Sequence, residues 1–476
     1  MVNEGTNQPP GESFNKVPLL IVLISGAFVA ILNQTLLATA LPHIMEDLEL
    51  NANTVQWLQS IFMLVNGIMI PITAFLIERF TTRGLFLTAM GVFALGTVIC
   101  AVAPNFGFLM VGRVAQAAGA GIIMPLMQTI LFLIFPLEKR GAAMGMFGLI
   151  IAFAPAIGPT LSGWLVEHFP WRSLFYVILP IVIVDIIVAY FILKNITKQT
   201  FPKLDILSII LSTLGFGGLL FGFSTAGNSG WGSMQVVVSM IVGAVALVWF
   251  IRRQLKLEKP ILEFRIFKYK IFTLTTILGM VVFVAMIGGA VILPLLMQTM
   301  LGFTAFESGL MLLPGALLMG IMNPITGRVF DKFGARWLAI IGLTILVITT
   351  FMFTNLDAQT TFLYLSVVNV FRMIGVAMVM MPVTTAGLNQ LPSNLIPHGT
   401  AMNNTMRQVS GAVGTALLVT VMTTAALPEQ GVSGMIHGVN VSFVVAGITA
   451  IIGLVLSFFL KGSRPEGEGK KIKIGS

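Results

Sequence analysis

Two short stretches, residues 74–83 (AFLIERFTTR) and residues 327–336 (GRVFDKFGAR), repeat one pattern in the two halves of the chain. Each follows a long apolar run and precedes another, places an acid beside a base, and carries a further Arg four residues on. A second echo follows each copy, since residues 141–144 (GAAM) match residues 399–402 (GTAM). The pattern predicts a duplicated architecture of two similar halves.

The composition places both halves in a membrane. Hydrophobic residues make up 57% of the chain and charged residues only 9%, too few to cover a water-soluble globule of this size. Apolar runs of about 20 residues, the length that crosses a bilayer, recur along the whole chain. Cys100 is the only cysteine, so we expect no disulfide framework, no metal centre and no cofactor. Two similar halves in a membrane are typical of transporters.

The apolar runs predict an all-α polytopic protein with fourteen membrane-spanning helices. They cover residues 17–41, 54–77, 84–103, 107–134, 141–166, 173–193, 206–225, 234–251, 271–298, 306–330, 335–354, 360–387, 399–424 and 438–460.

The basic residues predict the orientation. If both termini are cytoplasmic, Arg172 is the only basic residue in an outer loop, whereas outer loops carry acids such as Glu46, Glu167 and Glu429. The net charge of +9 is therefore read as a topology signal and not as a nucleic-acid surface. We expect a multi-pass protein of a bacterial cytoplasmic membrane, with both termini cytoplasmic.

The repeat also predicts the domain organisation. The predicted parts are a cytoplasmic N-terminal tail (1–16), an N-terminal six-helix half (17–193), two linker helices with basic cytoplasmic segments (194–270), a C-terminal six-helix half (271–460) and a cytoplasmic C-terminal tail (461–476). Residues 252–270, which are strongly basic, are expected at the lipid headgroups rather than as a partner-docking site.

The repeated loop resembles the signature of the major facilitator superfamily, a Gly-x-Leu-x-Asp-Arg-x-Gly-Arg-Arg type of sequence. The second copy fits well, whereas the first has Ala74, Glu78, Thr81 and Thr82 where the signature has Gly, Asp, Gly and Arg. The resemblance implies the major facilitator fold, here as two six-helix halves plus two linker helices.

Three further stretches resemble the fourteen-helix drug:proton antiporters of that superfamily, of the Gram-positive lincomycin and multidrug exporter type. Residues 154–163 (APAIGPTLSG) are similar to the antiporter motif, residues 113–116 (RVAQ) open span 4 as in the family, and residues 32–42 with Trp171-Arg172 match spans 1 and 6. The resemblance covers essentially the whole chain.

That resemblance implies alternating access, with efflux of amphipathic drugs driven by inward proton flow. The expected partners are small amphipathic drugs, protons and the lipid bilayer, with no nucleic acid, and the protein is expected to be a monomer. An enzyme is not expected, because the chain lacks a nucleotide-binding loop and a nucleophile with a positioned base. Two alternatives stay open: an exporter of one endogenous lipid, peptide or siderophore, and a non-transporting sensor with the same fold.

The repeated loops are expected to form the gate. A carboxylate at the end of one helix can pair with bases or helix ends of the facing half in one state and separate in the other. The alternative is that the arginines merely set the topology. The predicted gating residues are Glu78, Arg79, Arg83, Asp331, Arg328 and Arg336.

Span 5 is expected to seal the two halves against each other. Its glycines, among them Gly145 and Gly148, remove side-chain bulk, and its prolines bend the helix. The alternative is packing with no role in transport. The antiporter-motif residues are Pro155, Gly158, Pro159 and Gly163.

Proton coupling is expected to need an ionisable group inside the membrane. The family usually has an acid where Asn33 stands, and an amide cannot take up a proton. Asp185 is the only carboxylate in mid-span, and it is interpreted either as the coupling site or as a structural partner of another helix. Arg113, by resemblance, and Glu307 are the other candidates.

A substrate cavity is expected to combine polar groups with adaptable methionines. Arg113 could instead make only a structural hydrogen bond to a neighbouring helix. The candidate cavity residues are Asn33, Gln34, Arg113, Gln116, Met124, Gln128, Gln298, Arg372, Asn404 and Arg407.

Overall fold

A computed structural model describes residues 16–197 and 199–460 of the chain. Fourteen helices in these ranges are long and apolar enough to cross a membrane, as the sequence predicted. The predicted tails, apart from Lys16, lie outside the described residues. Most connections between the helices are short turns or 3-10 segments, and the longer ones lie between α6 and α7 and between α8 and α9.

The helices follow one another without a strand in the described ranges. They are α1 (Lys16–Asp47), α2 (Ala52–Arg79), α3 (Thr82–Ala101), α4 (Phe106–Ile134), α5 (Arg140–His168), α6 (Ser173–Ile192), α7 (Ile206–Ser229), α8 (Met234–Lys256), α9 (Lys270–Thr299), α10 (Ala305–Phe333), α11 (Ala335–Met352), α12 (Phe362–Leu388), α13 (Ile396–Ala425) and α14 (Gly431–Ser457).

Polar residues at the membrane surfaces begin several of these helices. The side chains of Asn51, Thr81 and Asn105 each accept a hydrogen bond from the backbone N–H three residues on, which satisfies one of the unpaired donors of a first helical turn. The helices themselves consist of apolar runs. The capping residues therefore mark the first turn of each of these apolar helices.

The chain crosses from one side of the bundle to the other with each helix. We call the side at which α2 ends and α3 begins the basic face, because its connections hold the basic residues of both repeated loops. The other side is the opposite face. Helices α1–α6 form one half, α9–α14 form the other, and α7 and α8 pack against each other beside them, with Gly218 of α7 facing Gly243 of α8.

The halves meet mainly where α5 packs along α10 and where α2 packs along α13, with smaller contacts of α5 on α12 and of α4 on α13. Helix α7 adds contacts to both α2 and α13, so the linker helices lie against the second of these seams. Small residues allow such close packing in a membrane, where apolar burial alone gives no driving force.

The basic segment after α8 is more firmly held than a surface loop at the headgroups. Ile261, Leu262 and Ile266 are buried, and the backbone N–H of Ile261 donates to the buried Gln254 side chain at 2.7 Å. A short 3-10 turn, Phe264–Lys268, then leads into α9. The segment is thus anchored to the bundle by apolar side chains, while its basic side chains are exposed or half-buried.

Candidate functional site

The second repeated loop binds the other half through its acid. Asp331, near the end of α10, accepts hydrogen bonds from the backbone N–H groups of Gly141 (2.8 Å) and Ala142 (2.9 Å) at the start of α5. The first N–H groups of a helix have no partner within it and carry the positive end of the helix dipole. A carboxylate there therefore makes charge-assisted bonds across the two halves.

Glycines bring α5 and α10 close enough for that contact. A Cβ atom on Gly141 would collide with Asp331 and with the backbone of Gly327, and a Cβ on Gly327 would collide with the Gly141 carbonyl. One turn further, a Cβ on Gly145 would press on the backbone of Asn323. The two backbones touch only because these positions lack side chains.

The first repeated loop also binds the other half, but through a side chain. Oε1 of Glu78, at the end of α2, lies 3.0 Å from Nε2 of His398, at the start of α13. The other ring nitrogen, Nδ1, accepts a hydrogen bond from the backbone N–H of Glu263 at 3.2 Å. An Nδ1 that accepts carries no proton, so the neutral His398 ring is protonated at Nε2 and donates to Glu78.

The linker segments surround this first contact. The carbonyl oxygen of Glu78 accepts from the backbone N–H of Thr200 at 2.9 Å, and Arg79 donates to the carbonyl of Pro202 at 2.8 Å. The guanidinium of Arg83 lies 4.4 Å from the Tyr190 ring centre on α6. Arg79 and Arg83 thus hold the linker and their own half, and the structure brings neither to the facing half.

The arginines of the second copy have a different environment. Arg328 and Arg336 are both exposed on the basic face. Their predicted gating role stays a prediction.

Further polar contacts between the halves lie in the part of the bundle nearer the basic face. They are Thr129 with Thr400 (2.8 Å), Asn404 with Gln128 (2.7 Å) and Arg140 with Asn389 (3.0 Å). Of these groups the sequence analysis selected only Gln128 and Asn404, and it did not select His398. The signal for His398 was its position beside the GTAM echo.

The N-terminal half contains a buried polar network. Arg113, fully buried, donates from Nε to the carbonyl of Leu58 (3.1 Å) and from Nη1 to Gln116 (3.0 Å). Gln116 in turn donates to Thr97 (2.9 Å) and to Asn33 (3.4 Å). The structure therefore brings Asn33, Gln116 and Arg113 together inside one half, as a network without a carboxylate.

The C-terminal half holds two buried arginines. Arg372 donates from Nη2 to the carbonyl of Ala285 on α9, and Arg407 donates from Nη2 to Thr384 on α12. In the described part of the chain neither forms an ion pair with a carboxylate.

Asp185 links two helices of the N-terminal half. It is 4% exposed, and Oδ1 accepts a hydrogen bond from Ser25 on α1. Gly26 leaves the space beside its second oxygen, since a Cβ there would lie 3.1 Å from Oδ2. The contact fits both interpretations of Asp185, and its coupling role stays a prediction.

Glu307 lies at the opposite face, at the start of α10. Its carboxylate accepts from the backbone N–H of Thr304 at 2.7 Å, and its own N–H donates to the Thr304 hydroxyl at 3.1 Å. This reciprocal capping box begins the helix. Its proposed role in proton coupling stays a prediction.

The glycines of the antiporter motif pack differently from the expectation. A Cβ on Gly158 would collide with Thr35 of α1, in the same half, and Gly163 has no neighbour within 4 Å of such an atom. The glycines that seal α5 against the other half are the earlier ones, at 141, 145 and 148. Pro155 and Pro159 lie inside α5 as expected.

The remaining cavity candidates differ in exposure: Gln34 and Met124 are half-buried, and Gln298 is exposed near the opposite face. Within the described ranges, no three His, Cys, Asp or Glu side chains are grouped to hold a metal ion.

Comparison with known proteins places this geometry in a family. The profile described as Major Facilitator Superfamily matches residues 23–415. The chain is 56% identical to the uncharacterized MFS-type transporter YcnB of Bacillus subtilis, over 97% of this chain and 98% of the relative. It is 44% identical to the lincomycin resistance protein LmrB of Listeria monocytogenes, over 95% and 98%.

A solved structure shares the fold. The human organic anion transporter MFSD10 superposes with a TM-score of 0.68 at 14% identity, over 94% of this chain and 100% of that one. Fourteen spanning helices in two similar halves, the matched profile and the relatives at high identity lead to one conclusion: the chain belongs to the Major Facilitator Superfamily of membrane transporters.

Proposed function

We propose that this protein exports amphipathic drugs of the lincomycin and multidrug type across a bacterial cytoplasmic membrane, by alternating access coupled to inward proton flow. The observation that carries the proposal is the pair of acid contacts, Asp331 with the start of α5 and Glu78 with His398, that join the halves at one face. An exporter needs such a closure, which forms in one state and breaks in the other.

The positive-inside rule orients the bundle. Connections on the basic face carry basic residues of both repeated loops, such as Arg83 and Arg336, whereas Arg172 at the opposite face is held by Asp47 at 2.9 Å. The basic face is therefore proposed to be cytoplasmic, with both termini on that side. In this assignment the described conformation is closed to the cytoplasm, which is the state that releases an exported drug.

Asp185 is the proposed proton carrier. It is buried in mid-helix and its Oδ2 has no hydrogen-bond partner among the described residues. An oxygen of a carboxylate without a hydrogen-bond partner can hold a proton. Because Ser25 ties it to α1, gain or loss of the proton would change how α6 holds α1.

Drug recognition is proposed from the relatives, several of which are named for lincomycin or multidrug export. The half-buried Gln34 and Met124 offer one hydrogen-bonding and one adaptable apolar group between the helices. A transporter of this kind suits compounds that combine an apolar body with a polar group.

The test uses purified protein in liposomes that contain a trapped pH dye, with an imposed pH gradient. Lincomycin and ethidium are added in turn to the wild type, to Asp185→Asn and to Glu429→Gln. Glu429 is exposed in a turn at the opposite face and serves as the matched control. We expect drug-triggered proton movement in the wild type and in Glu429→Gln, and none in Asp185→Asn, which should still bind drug.

Each departure has a distinct meaning. Proton movement that survives in Asp185→Asn would make Asp185 a structural link between α6 and α1, and would move the search to Glu78, Asp331 and Glu307. Absence of proton movement with every drug in the wild type would contradict drug:proton antiport. In that case an exporter of one endogenous compound becomes the better description.

A further inference from the structure

The C-terminal half contains a group of buried polar atoms that its own side chains leave unpaired. Nε and Nη1 of Arg372 have no hydrogen-bond partner among the described residues, nor do Oδ1 and Nδ2 of Asn369. Arg372 is fully buried and Asn369 is 1% exposed. Because the two residues are three apart on α12, both side chains lie on one face of that helix.

Two neighbouring helices have a glycine where they contact these two side chains. A Cβ atom on Gly289 of α9 would collide with the Arg372 guanidinium, and a Cβ on Gly315 of α10 would lie 2.8 Å from Asn369 Nδ2. The single bond that Arg372 makes, to the carbonyl of Ala285, also goes to α9. The group therefore lies between α9, α10 and α12, about 15 Å along α12 from the opposite face.

In the described part of the chain, no carboxylate forms an ion pair with the positively charged guanidinium of Arg372. The acids nearest along α10 are engaged elsewhere: Glu307 caps its own helix, and Asp331 binds the start of α5. An unpaired guanidinium in the interior of a membrane protein is costly, and buried charges are normally paired. Three of the four unpaired atoms are N–H donors, and two of these belong to the Arg372 cation, so the partner that would satisfy them is an anion.

We propose that Arg372 and Asn369 form a binding site for one monovalent anion. The anion is either a free inorganic ion or the carboxylate group of a larger amphiphile, since both would accept from the same donors. Gly289 has no side chain, so no side chain at that position of α9 lies between this helix and the Arg372 guanidinium. The inference goes beyond drug export and does not depend on it.

The experiment measures anion binding and not transport. The melting temperature of the purified protein in detergent is followed by tryptophan fluorescence while potassium methanesulfonate, whose anion has no carboxylate, is replaced by potassium chloride at constant ionic strength. In a second arm, benzoate is compared with benzyl alcohol. We expect chloride or benzoate to raise the melting temperature by about 2 °C or more at saturation. A response to chloride indicates a free ion, and a response to benzoate alone indicates the group of an amphiphile.

Two variants test the site directly. Asn369→Asp places a carboxylate beside Arg372 on the same helix face, so it should remove the anion response without lowering the melting temperature in methanesulfonate. Arg372→Gln should also remove the response. Arg407→Gln removes the other buried arginine of this half and should keep it. No response in the wild type, or an unchanged response in Asn369→Asp, would overturn the proposal; if Arg372→Gln does not fold, Asn369→Asp decides.

Discussion

The two repeated loops contact the facing half at the same face with different chemistry. Asp331 binds the main chain at the start of α5, whereas Glu78 binds the side chain of His398 at the start of α13. The first contact uses the dipole of a helix, which is present at every pH. The second depends on the tautomer of one imidazole, which Glu263 fixes. The two copies of the repeated loop thus occupy equivalent positions in their halves, but their acids bind different kinds of group.

The spacing of the helices explains the difference. Gly327 lets α10 touch Gly141, but the corresponding residue of the first copy is Ala74, which is fully buried. Gly399, the counterpart of Gly141, faces Leu388 and Leu391 of its own half. Helix α2 therefore cannot reach the main chain of α13 in the same way. Glutamate, one methylene longer than aspartate, reaches a side chain instead.

The largest effect is expected from Asp331→Asn. The substitution removes a charge that two backbone N–H groups share, each bond being worth about 1.5–3 kcal/mol. We expect the balance between closed and open basic face to shift towards open by about 30-fold, or about 2 kcal/mol after compensation by water. The measurement is the distance distribution between spin labels at Lys139→Cys and Ser393→Cys, both exposed on the basic face.

Asp357→Asn, in an exposed turn at the opposite face, is the control for that substitution. An unchanged distance distribution in Asp331→Asn would mean that α5 and α10 are held by packing alone. The Asp331 contact would then contribute no more to holding the halves together than the Glu78–His398 contact does.

Gly327→Ala should have the next largest effect. The added methyl group meets the Gly141 carbonyl, so α5 and α10 must separate, at a cost of about 1–3 kcal/mol. Drug efflux should fall and the label distance on the basic face should lengthen. Gly91→Ala is the matched control, because a Cβ there has no neighbour within 4 Å. Equal efflux in both variants would contradict the requirement for backbone contact.

Breaking the first closure should cost less. Glu78 is partly exposed, so we expect a coupling free energy of about 1 kcal/mol between Glu78 and His398. A double-mutant cycle with Glu78→Gln and His398→Gln, read from the same label distances, measures it. Additive effects of the two substitutions would show that the imidazole is a neighbour and not a partner.

The smallest effect concerns the linker that surrounds Glu78. Two hydrogen bonds from Arg253 (2.8 and 3.1 Å), together with those from the hydroxyl and the backbone N–H of Ser208, hold the pKa of Asp205 below its usual value. A depressed pKa in the folded state means that the stabilisation is present above the unfolded value of about 3.9 and is lost as the pH falls below it.

Acid titration of thermal stability checks this prediction. Asp205→Asn should lower the melting temperature slightly at pH 7, and the difference from the wild type should shrink below about pH 4. A difference that stays constant down to pH 3 would mean that the Arg253 contact contributes nothing to stability.

The sequence could predict the fold because apolar length and loop charge act locally. Fourteen runs of bilayer length and two copies of one loop determine the helices and the halves almost alone. The contacts between the halves were half predictable: Glu78 and Asp331 stand out as acids beside bases, and the GAAM echo lies where Asp331 binds. His398 lies beside the GTAM echo, but its contact with Glu78 depends on which helix start α2 faces, and the sequence does not show that.

Contacts that depend on spacing between helices were the hardest to predict. Gly158 and Gly145 look equivalent in the sequence, yet one packs on α1 and the other on α10, since their directions around α5 differ. The pairing of Arg113 with Gln116 follows from helical periodicity, but its bond to Leu58 on another helix does not. Such differences arise only once the helices are arranged.

Two hydrogen bonds matter for anyone who engineers this chain: the backbone N–H of Thr200 donates to the carbonyl oxygen of Glu78, and the backbone N–H of Glu263 donates to His398. Helices α7 and α8 look like an insertion that a shortened, twelve-helix version could lose. The segments that flank them, however, supply the hydrogen bonds that orient the Glu78–His398 contact on the basic face. A twelve-helix version would therefore need a redesigned contact between α2 and α13. The simplest design is to copy the arrangement of glycine and aspartate that joins α10 to α5.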